Sequence, residues 1–506
     1  MALNTESRTK NVGKNTLSAF LNKFIILLLT FICRRFFIYY IGVEYLGING
    51  LFANVLTLLS MADLGLGTAM NISLYRPIAE GDTLKLSALV QYFKKLYRVI
   101  ALVVLLIGTA LLPFLKYIVN LDVEIPHIYL YYYLFVLKNV VSYLFVYKTA
   151  MIRADQKQYL INRIEIIISF FRIGLQILAI VLFRLYLIYL LLEVLSVVAQ
   201  NVVASLVADK EYPFLKEHSE LEPEAKKSLF SDMVSVSLYK VSWSLLNGTD
   251  NIIMSIIVGT VSVGLYANYQ TITSSLEVFI VLLFSSLTAS VGNLVATSSE
   301  QHRYETFKSM QMVSFWLCAV SVVGLYYLTQ DFIAIWIGEK YALDHLTLIA
   351  IVVNLFFSTC MRPVWTFREG TGMYRQIRFI MLATAILNII LSVWLGKLLG
   401  LAGILFATSL SKMLTYFWYE PNLLFRNFFN KKPLYYYADF FKNFLLLAIA
   451  LAICYYPMTL LPQVSIGVWL LKAVICVIVV TLVYSLAYMK TPEWSNLMTK
   501  LKSLVY

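Results

Sequence analysis

Residues 41–47 read Ile-Gly-Val-Glu-Tyr-Leu-Gly, and residues 258–264 read Val-Gly-Thr-Val-Ser-Val-Gly. Each stretch joins two long apolar segments, and the two stretches lie 217 residues apart, counted from residue 41 to residue 258. Residues 153–159 and 368–374 form a second similar pair, at an offset of 215 residues. Because the two pairs fall nearly in register, the sequence predicts that the chain contains two copies of one structural unit.

Apolar segments of membrane length extend in both directions from these stretches. Hydrophobic residues make up 60% of the 506 residues and charged residues only 14%, which is more apolar surface than one soluble core could bury. Windows of about 20 residues mark about fourteen spans, and this predicts an all-α polytopic membrane protein. The expected spans are 15–40, 45–69, 96–118, 128–147, 160–182, 186–207, 233–258, 263–292, 310–336, 345–362, 377–396, 402–420, 440–461 and 467–489.

The repeat divides these spans into lobes. We expect an N-lobe at residues 1–208 and a C-lobe at residues 233–430, each with six spans. An even number of spans gives both copies the same orientation, so a pseudo-two-fold axis along the membrane normal is expected to relate them. The polar stretch 209–232 is interpreted as a cytoplasmic linker, and residues 431–506 carry two further spans outside the repeat.

Basic residues are concentrated in alternate loops. If the N-terminus is cytoplasmic, Lys and Arg favour the cytoplasmic loops by roughly seven to one, and both termini lie inside. The net charge of +13 is therefore mainly a topology signal, with added attraction to anionic membrane lipids. This interpretation excludes nucleic acid as a partner.

Cysteine and histidine give no sign of a metal centre or a catalytic site. The five cysteines lie in apolar spans and the four histidines lie in loops, and neither set has the spacing of a disulfide framework, a zinc site or a triad. We expect no cofactor, no metal and no catalytic residue.

The seventh expected span carries a polar stripe. A charged side chain inside a span costs a few kcal/mol, so each one is a candidate for function. Residues spaced by 4, 3, 4 and 4 lie along one helical face, with Asp250 beside them. The members of this stripe are Lys240, Ser244, Asn247, Asn251 and Ser255.

The first expected span carries a matching stripe, since Lys23 aligns with Lys240 at the repeat offset. Thr30 and Arg34 follow on the same face, with Arg35 beside them. Two such stripes would suit a cavity for an anionic ligand, because Arg and Lys donate charge-assisted hydrogen bonds to phosphate oxygens. We expect Lys23, Arg34, Arg35, Lys240, Asn247, Asn251 and the deeply placed Lys138 to line it. Snorkelling of the basic residues to the headgroups is the alternative.

Acidic residues inside spans are candidates for ion coupling. A desolvated carboxylate takes up a proton more readily, and carboxylates also bind sodium. The candidates are Asp63, Asp250 and Glu277. Pairing of each with a basic residue is the alternative. Glu165 and Glu193 are two further carboxylates inside spans that could bind a coupling ion, and Arg172 is a further charge in a span.

Several stretches resemble a known family. Residues 45–52 (Tyr-Leu-Gly-Ile-Asn-Gly-Leu-Phe), 62–67 (Ala-Asp-Leu-Gly-Leu-Gly) and 74–79 (Leu-Tyr-Arg-Pro-Ile-Ala) resemble the first two spans of bacterial O-antigen and capsular polysaccharide flippases. Residues 249–253 and 263–269 resemble the family in the same way. That family belongs to a superfamily that also contains multidrug extruders and the lipid II flippase.

The resemblance implies a transporter rather than an enzyme. It implies that undecaprenyl-diphosphate-linked oligosaccharide, an O-antigen or capsule repeat unit, moves from the cytoplasmic to the periplasmic leaflet of the inner membrane by alternating access. The lipid-linked oligosaccharide, membrane lipids, and the polysaccharide polymerase and chain-length machinery are the implied partners.

Two other functions compete with this reading. A drug or metabolite exporter of the same superfamily would favour acidic and aromatic residues for cationic ligands, which the basic stripes do not match. An enzyme acting on lipid-linked sugars would need a sizeable periplasmic loop, and the expected outer loops are only about 4 to 14 residues long.

Overall fold

The computed structural model describes residues 8–60, 66–121, 124–217, 219–223, 226–227, 229, 241–242, 244–246, 248–461 and 465–505. Within these residues every regular element is helical, which confirms the predicted all-α class. The α-helices in chain order are α1 (Arg8–Tyr40), α2 (Val43–Leu59), α3 (Leu66–Glu80), α4 (Thr83–Ala110), α5 (Leu115–Ile118), α6 (Ile128–Tyr143), α7 (Val146–Ala154), α8 (Gln158–Phe183), α9 (Tyr186–Glu211), α10 (Asp250–Ile257), α11 (Thr260–Thr297), α12 (Glu300–Trp336), α13 (His345–Cys360), α14 (Arg362–Thr371), α15 (Tyr374–Leu414), α16 (Tyr416–Phe428), α17 (Leu434–Leu460), α18 (Ile466–Tyr488) and α19 (Pro492–Val505).

The number of membrane-length helices agrees with a multi-pass membrane protein. Among the described residues, ten helical stretches are long and apolar enough to cross a membrane. The pair α6 and α7, bent by 49°, makes an eleventh if it counts as one span, and α2 is apolar but shorter. The expected spans 377–396 and 402–420 are separated by a kink at Gly400, whose φ is 59°. Of the expected seventh span, residues 233–240, 243 and 247 lie outside the described residues.

The chain divides into two compact units, Met1–Gly264 and Leu265–Tyr506. The first unit contains α10 and the start of α11 in addition to the residues of the expected N-lobe. The lobe and linker boundaries given above stay predictions.

The first unit is built from helices that share polar as well as apolar faces. In α8, Ile173, Gln176 and Ile180 are buried at spacings of 3 and 4, which is one helical face. The neighbouring Phe170 and Phe171 are exposed, as expected for side chains that face lipid. Helix α8 packs against α1 and α9, and α9 packs against α6, so the polar faces of these helices meet inside the unit.

The two repeated stretches cross each other within the first unit. A Cβ atom added to Gly47 would lie 2.0 Å from the Thr260 carbonyl oxygen, and one added to Gly264 would lie 2.2 Å from the Val43 carbonyl oxygen. At the offset of 217 residues Gly47 corresponds to Gly264, and Val43 to Thr260. The contact is therefore reciprocal, as a local two-fold axis requires. Only glycine allows two helix backbones to approach so closely.

In the second unit the last two apolar helices are attached to α12. The Lys472 ammonium of α18 lies 2.7 Å from an Asp331 carboxylate oxygen of α12. The Tyr327 hydroxyl of α12 donates a hydrogen bond to the Leu451 carbonyl of α17 at 2.7 Å. These contacts make α17 and α18 part of the second unit's packing.

Candidate functional site

A cavity of about 210 Å³ lies inside the first unit, between α1, α2, α6, α8 and α9. Each helix contributes residues from one face, at spacings of 1, 3 or 4. We call this cavity the cationic pocket. Its lining residues are Thr30, Cys33, Arg34, Phe37, Leu46, Asn49, Ala53, Phe135, Lys138, Arg172, Ile173, Tyr189 and Glu193.

Three cations and one carboxylate set the charge of the cationic pocket. The Lys138 ammonium lies 2.7 Å from a Glu193 carboxylate oxygen, and the two side chains are 22% and 24% exposed. Arg34 and Arg172 are half-buried beside this pair. The pocket therefore carries a net charge of +2, and it attracts anions.

Hydrogen bonds between α8 and α9 fix the position of Arg172. Its Nη1 donates to the Gln176 side-chain oxygen at 2.9 Å. Gln176 is fully buried, and its amide nitrogen donates to the Tyr189 backbone carbonyl at 3.1 Å. The Arg172 guanidinium is thus held by Gln176, one turn further along α8, and Gln176 is itself bonded to α9.

Five aromatic rings form a cluster where α1 stops and α9 starts, and two of them, Phe37 and Tyr189, line the cationic pocket. Phe37 packs edge-on against Tyr189 at a centroid distance of 4.8 Å. Tyr186 lies at the centre of the group, 4.8 Å from Tyr45 and 4.7 Å from Tyr131. We call these five residues the aromatic cluster. It is tied to the pocket lining because the Tyr186 hydroxyl donates a hydrogen bond to the Asn49 side chain at 2.6 Å.

The structure brings together two of the residues that the sequence singled out. Arg34 and Lys138 both line the cationic pocket. Lys23 and Arg35 lie on exposed faces of α1. Asn251 is buried on α10, 3% exposed, and faces α2.

Of the remaining candidates, Asp250 and Glu277 are not among the described residues that line this pocket. Lys240, Asn247 and Asp63 lie outside the described residues. Asp250 is half-buried at the start of α10. Glu277, in the second unit, accepts a hydrogen bond from the Ser358 hydroxyl.

Sequence reasoning considered Glu193 only as a carboxylate that could bind a coupling ion and Arg172 only as a charge in a span, and it expected neither to line the cavity. The signal that could have found Glu193 is Lys138 itself, because a lysine deep in a span requires a counter-ion. Helical spacing within one span does not indicate which other span supplies this counter-ion. Among the described residues, no group of three or more His, Cys, Asp or Glu side chains is placed to hold a metal ion.

The second unit contains a larger and almost wholly apolar groove, of about 720 Å³, between α12, α13, α15, α16 and α17. Apart from tyrosines, its lining carries no polar side chain. We call this the apolar groove. Its lining residues are Val322, Tyr326, Tyr327, Ile349, Val352, Val353, Phe356, Phe357, Met413, Phe417, Trp418, Phe440, Phe441, Phe444, Leu447, Leu451, Ala452 and Tyr455.

Comparison with known proteins gives a family and a fold. The family model described as "Polysaccharide biosynthesis protein" matches residues 12–289, which is more than half of the chain. Comparison with curated protein sequences finds no match.

Solved transporter structures have a similar fold. The lipid II flippase MurJ in an inward closed conformation is 14% identical with a TM-score of 0.64, over 94% of this chain and 98% of that chain. An inward-facing multidrug resistance MATE family transporter of the MOP superfamily is 13% identical with a TM-score of 0.61, over 80% and 97%. A MOP superfamily transporter from Pyrococcus furiosus is 13% identical with a TM-score of 0.54, over 81% and 95%.

Proposed function

Because the chain belongs to the polysaccharide biosynthesis protein family, we propose that it is a flippase for undecaprenyl-diphosphate-linked oligosaccharide. The cargo is an O-antigen or capsule repeat unit, and it moves from the cytoplasmic to the periplasmic leaflet of the inner membrane. The termini are cytoplasmic in this proposal. The lipid-linked oligosaccharide and membrane lipids are the partners, together with the polymerase and chain-length machinery that uses the product.

The observation that carries this proposal is the charge of the cationic pocket. A diphosphate bears negative charge at every physiological pH, and Arg and Lys are the side chains that bind phosphate oxygens best. Among the described lining residues, three cationic side chains outnumber one carboxylate. The cations are Arg34, Arg172 and Lys138, and the carboxylate is Glu193. A pocket of this charge inside a membrane is costly unless it serves an anionic ligand.

The apolar groove supports the same proposal from the lipid side. The polyprenyl tail of the cargo needs an apolar path, whereas the diphosphate and the sugars do not. The groove is lined by aliphatic and aromatic side chains, and one of its walls is α17, in the C-terminal segment that stands outside the repeat. We assign the tail of the cargo to this groove, which gives α17 a role.

Transport would proceed by alternating access between two states of the protein. We keep Asp63, Asp250 and Glu277 as the candidate carboxylates for coupling to a proton or sodium gradient. Asp250 and Glu277 are not among the described residues that line the cationic pocket, so for these two the proposed coupling step is separate from cargo binding.

The alternative is an exporter of drugs or metabolites, which the fold of the MATE family transporters also supports. Cationic drugs are bound by carboxylates and aromatic faces. The excess of positive charge in the cationic pocket is unfavourable for such ligands, so we rank this function second.

The test is the fate of lipid-linked glycan in cells that lack the protein. We expect undecaprenyl-diphosphate oligosaccharide to accumulate on the cytoplasmic leaflet, identified by mass spectrometry, while surface polysaccharide is lost. Restoring the wild-type gene should reverse both effects. Intact surface polysaccharide together with altered drug susceptibility would reject the flippase and support the exporter.

A further inference from the structure

The ion pair in the cationic pocket is not sealed away from a ligand. Lys138 and Glu193 are each between one fifth and one quarter exposed, and both border the cavity. Arg368 and Glu420 in the second unit form, by contrast, a pair that packing closes off, with side chains 6% and 2% exposed. The Lys138 ammonium can therefore be reached by another anion.

The size of the cationic pocket limits what that anion can be. Water occupies about 30 Å³ per molecule in the liquid, so 210 Å³ corresponds to about seven waters. This is room for one phosphate group or one sugar ring with its acidic substituent. An oligosaccharide of several rings does not fit inside it.

The donors of the cationic pocket suit an oxyanion. A guanidinium has five N–H donors, and the hydrogen bond from Arg172 to Gln176 uses one of them. Arg34 and the Lys138 ammonium add donors from two other helices. Phe37, Phe135 and Tyr189 supply apolar walls against which a sugar ring can pack.

We propose that Glu193 is a built-in counter-ion, which an acidic group of the cargo displaces from Lys138 when it enters the cationic pocket. This inference rests on the proposed flippase function and names the part of the cargo that the pocket takes. The acidic group is an oxyanion, supplied either by the diphosphate or by a carboxylated sugar.

The displaced carboxylate gives the pocket a means of release. In the empty protein Glu193 neutralises one cation, so that the ammonium is not left unpaired in the membrane. In the loaded protein the same carboxylate lies beside the bound oxyanion and repels it. The pocket thus binds cargo less tightly than its three cations alone would, and it returns to its paired state when the cargo leaves.

The test is direct binding to the purified full-length protein in nanodiscs of zwitterionic lipid, by isothermal titration calorimetry. The probes are inorganic pyrophosphate and glucuronate, with glucose as the neutral control. We expect wild type to bind at least one oxyanion and not glucose, and salt to weaken that binding. Pyrophosphate binding alone assigns the pocket to the diphosphate, and glucuronate binding assigns it to an acidic sugar. Absence of binding by both overturns the proposal.

Variants separate displacement from simple attraction. Glu193→Gln should bind the oxyanion about tenfold more tightly, because the carboxylate that competes for Lys138 and repels the oxyanion is gone. Lys138→Gln should bind it about tenfold more weakly, because a charge-assisted hydrogen bond is lost. Lys138→Arg should retain binding, which shows that loss in Lys138→Gln is not a folding defect. Glu165→Gln is the matched control, because Glu165 is a carboxylate of α8 bonded to Asn22 outside the pocket, and it should leave affinity unchanged. Unchanged or weaker binding by Glu193→Gln overturns the proposal.

The two proposals fail separately. The binding experiment does not depend on transport, whereas the deletion experiment does not depend on this pocket. If the deletion strain accumulates lipid-linked glycan but Glu193→Gln does not change oxyanion binding, the flippase function is retained and the counter-ion role of Glu193 is rejected.

Discussion

Arg34 and Arg35 are adjacent in the sequence but differ in their surroundings. Arg34 lines the cationic pocket, whereas Arg35 lies on an exposed face of α1. Hydropathy could place both in the first span, but it could not say which one faces inward. The difference arises from packing against α8 and α9, which are more than a hundred residues away in the chain.

At the residue scale we predict that Arg34→Gln abolishes complementation of a deletion strain. The substitution removes one of three cations that attract the oxyanion, and about 1.5–3 kcal/mol of charge-assisted hydrogen bonding goes with it. Surface polysaccharide is the measurement, with membrane expression followed in parallel. Arg98→Gln is the control, because Arg98 is exposed on α4 in the same unit. Normal polysaccharide in the Arg34 variant would remove this residue from the site.

At the element scale the glycine crossing of α2 and α11 is a specific target. Gly47→Ala and Gly264→Ala each place a methyl group about 2 Å from a backbone oxygen, so the helices must separate. We expect each variant to lower stability by about 1–3 kcal/mol or more, measured as thermal unfolding in detergent.

Gly174 provides the control for the crossing. A Cβ atom at this position of α8 would meet nothing within 4 Å, so Gly174→Ala should stabilise by about 0.5–1 kcal/mol through better helix propensity. Equal melting temperatures for all three variants would show that the close approach of the two helices does not contribute to stability.

The start of α13 carries a cap outside the apolar segments. The Asp344 side chain accepts hydrogen bonds from the Thr347 amide at 3.0 Å and the Thr347 hydroxyl at 2.5 Å. Burial by itself raises the pKa of Asp344, but these hydrogen bonds, together with those from backbone amides, lower it below its usual range. The ionised carboxylate is therefore the form that stabilises the fold.

We predict that Asp344→Ala costs about 0.5–1 kcal/mol at pH 7, the low part of the range for N-caps, since Asp344 is exposed. A lowered pKa gives stability that is present above the unfolded value near 4 and is lost as the pH falls through the folded value. The gap in melting temperature between wild type and variant should therefore narrow below about pH 4. A gap that does not change with pH would exclude the carboxylate as its source.

At the scale of the whole molecule the apolar groove can be blocked without touching a charge. Ala452→Trp fills space between α17 and the other walls of the groove, so we expect surface polysaccharide to fall at least tenfold while the protein stays folded. Ile453→Trp is the matched control, because Ile453 is exposed on the same helix, points away from the lining face and is not part of the lining. Equal polysaccharide in both variants would exclude the groove from the cargo's path.

Hydropathy was sufficient for the helical class and for most spans, because each span needs only its own residues to be apolar. It also placed a break between residues 396 and 402, where the kink at Gly400 lies. It could not show that α2 is short, since the length of that helix depends on backbone geometry. In the site, Lys138 was accessible to sequence reasoning because a charge in a span is costly by itself. Its pairing with Glu193 was not, because a contact between α6 and α9 leaves no periodic signal in either helix.

The reciprocal contact of Gly47 and Gly264 has a further consequence. A surface that meets its own copy across a two-fold axis is self-complementary. A shorter chain with a single copy of the motif would carry everything needed to pair with a second molecule of itself. The crossing thus has the geometry of a homodimer interface that lies within a single chain.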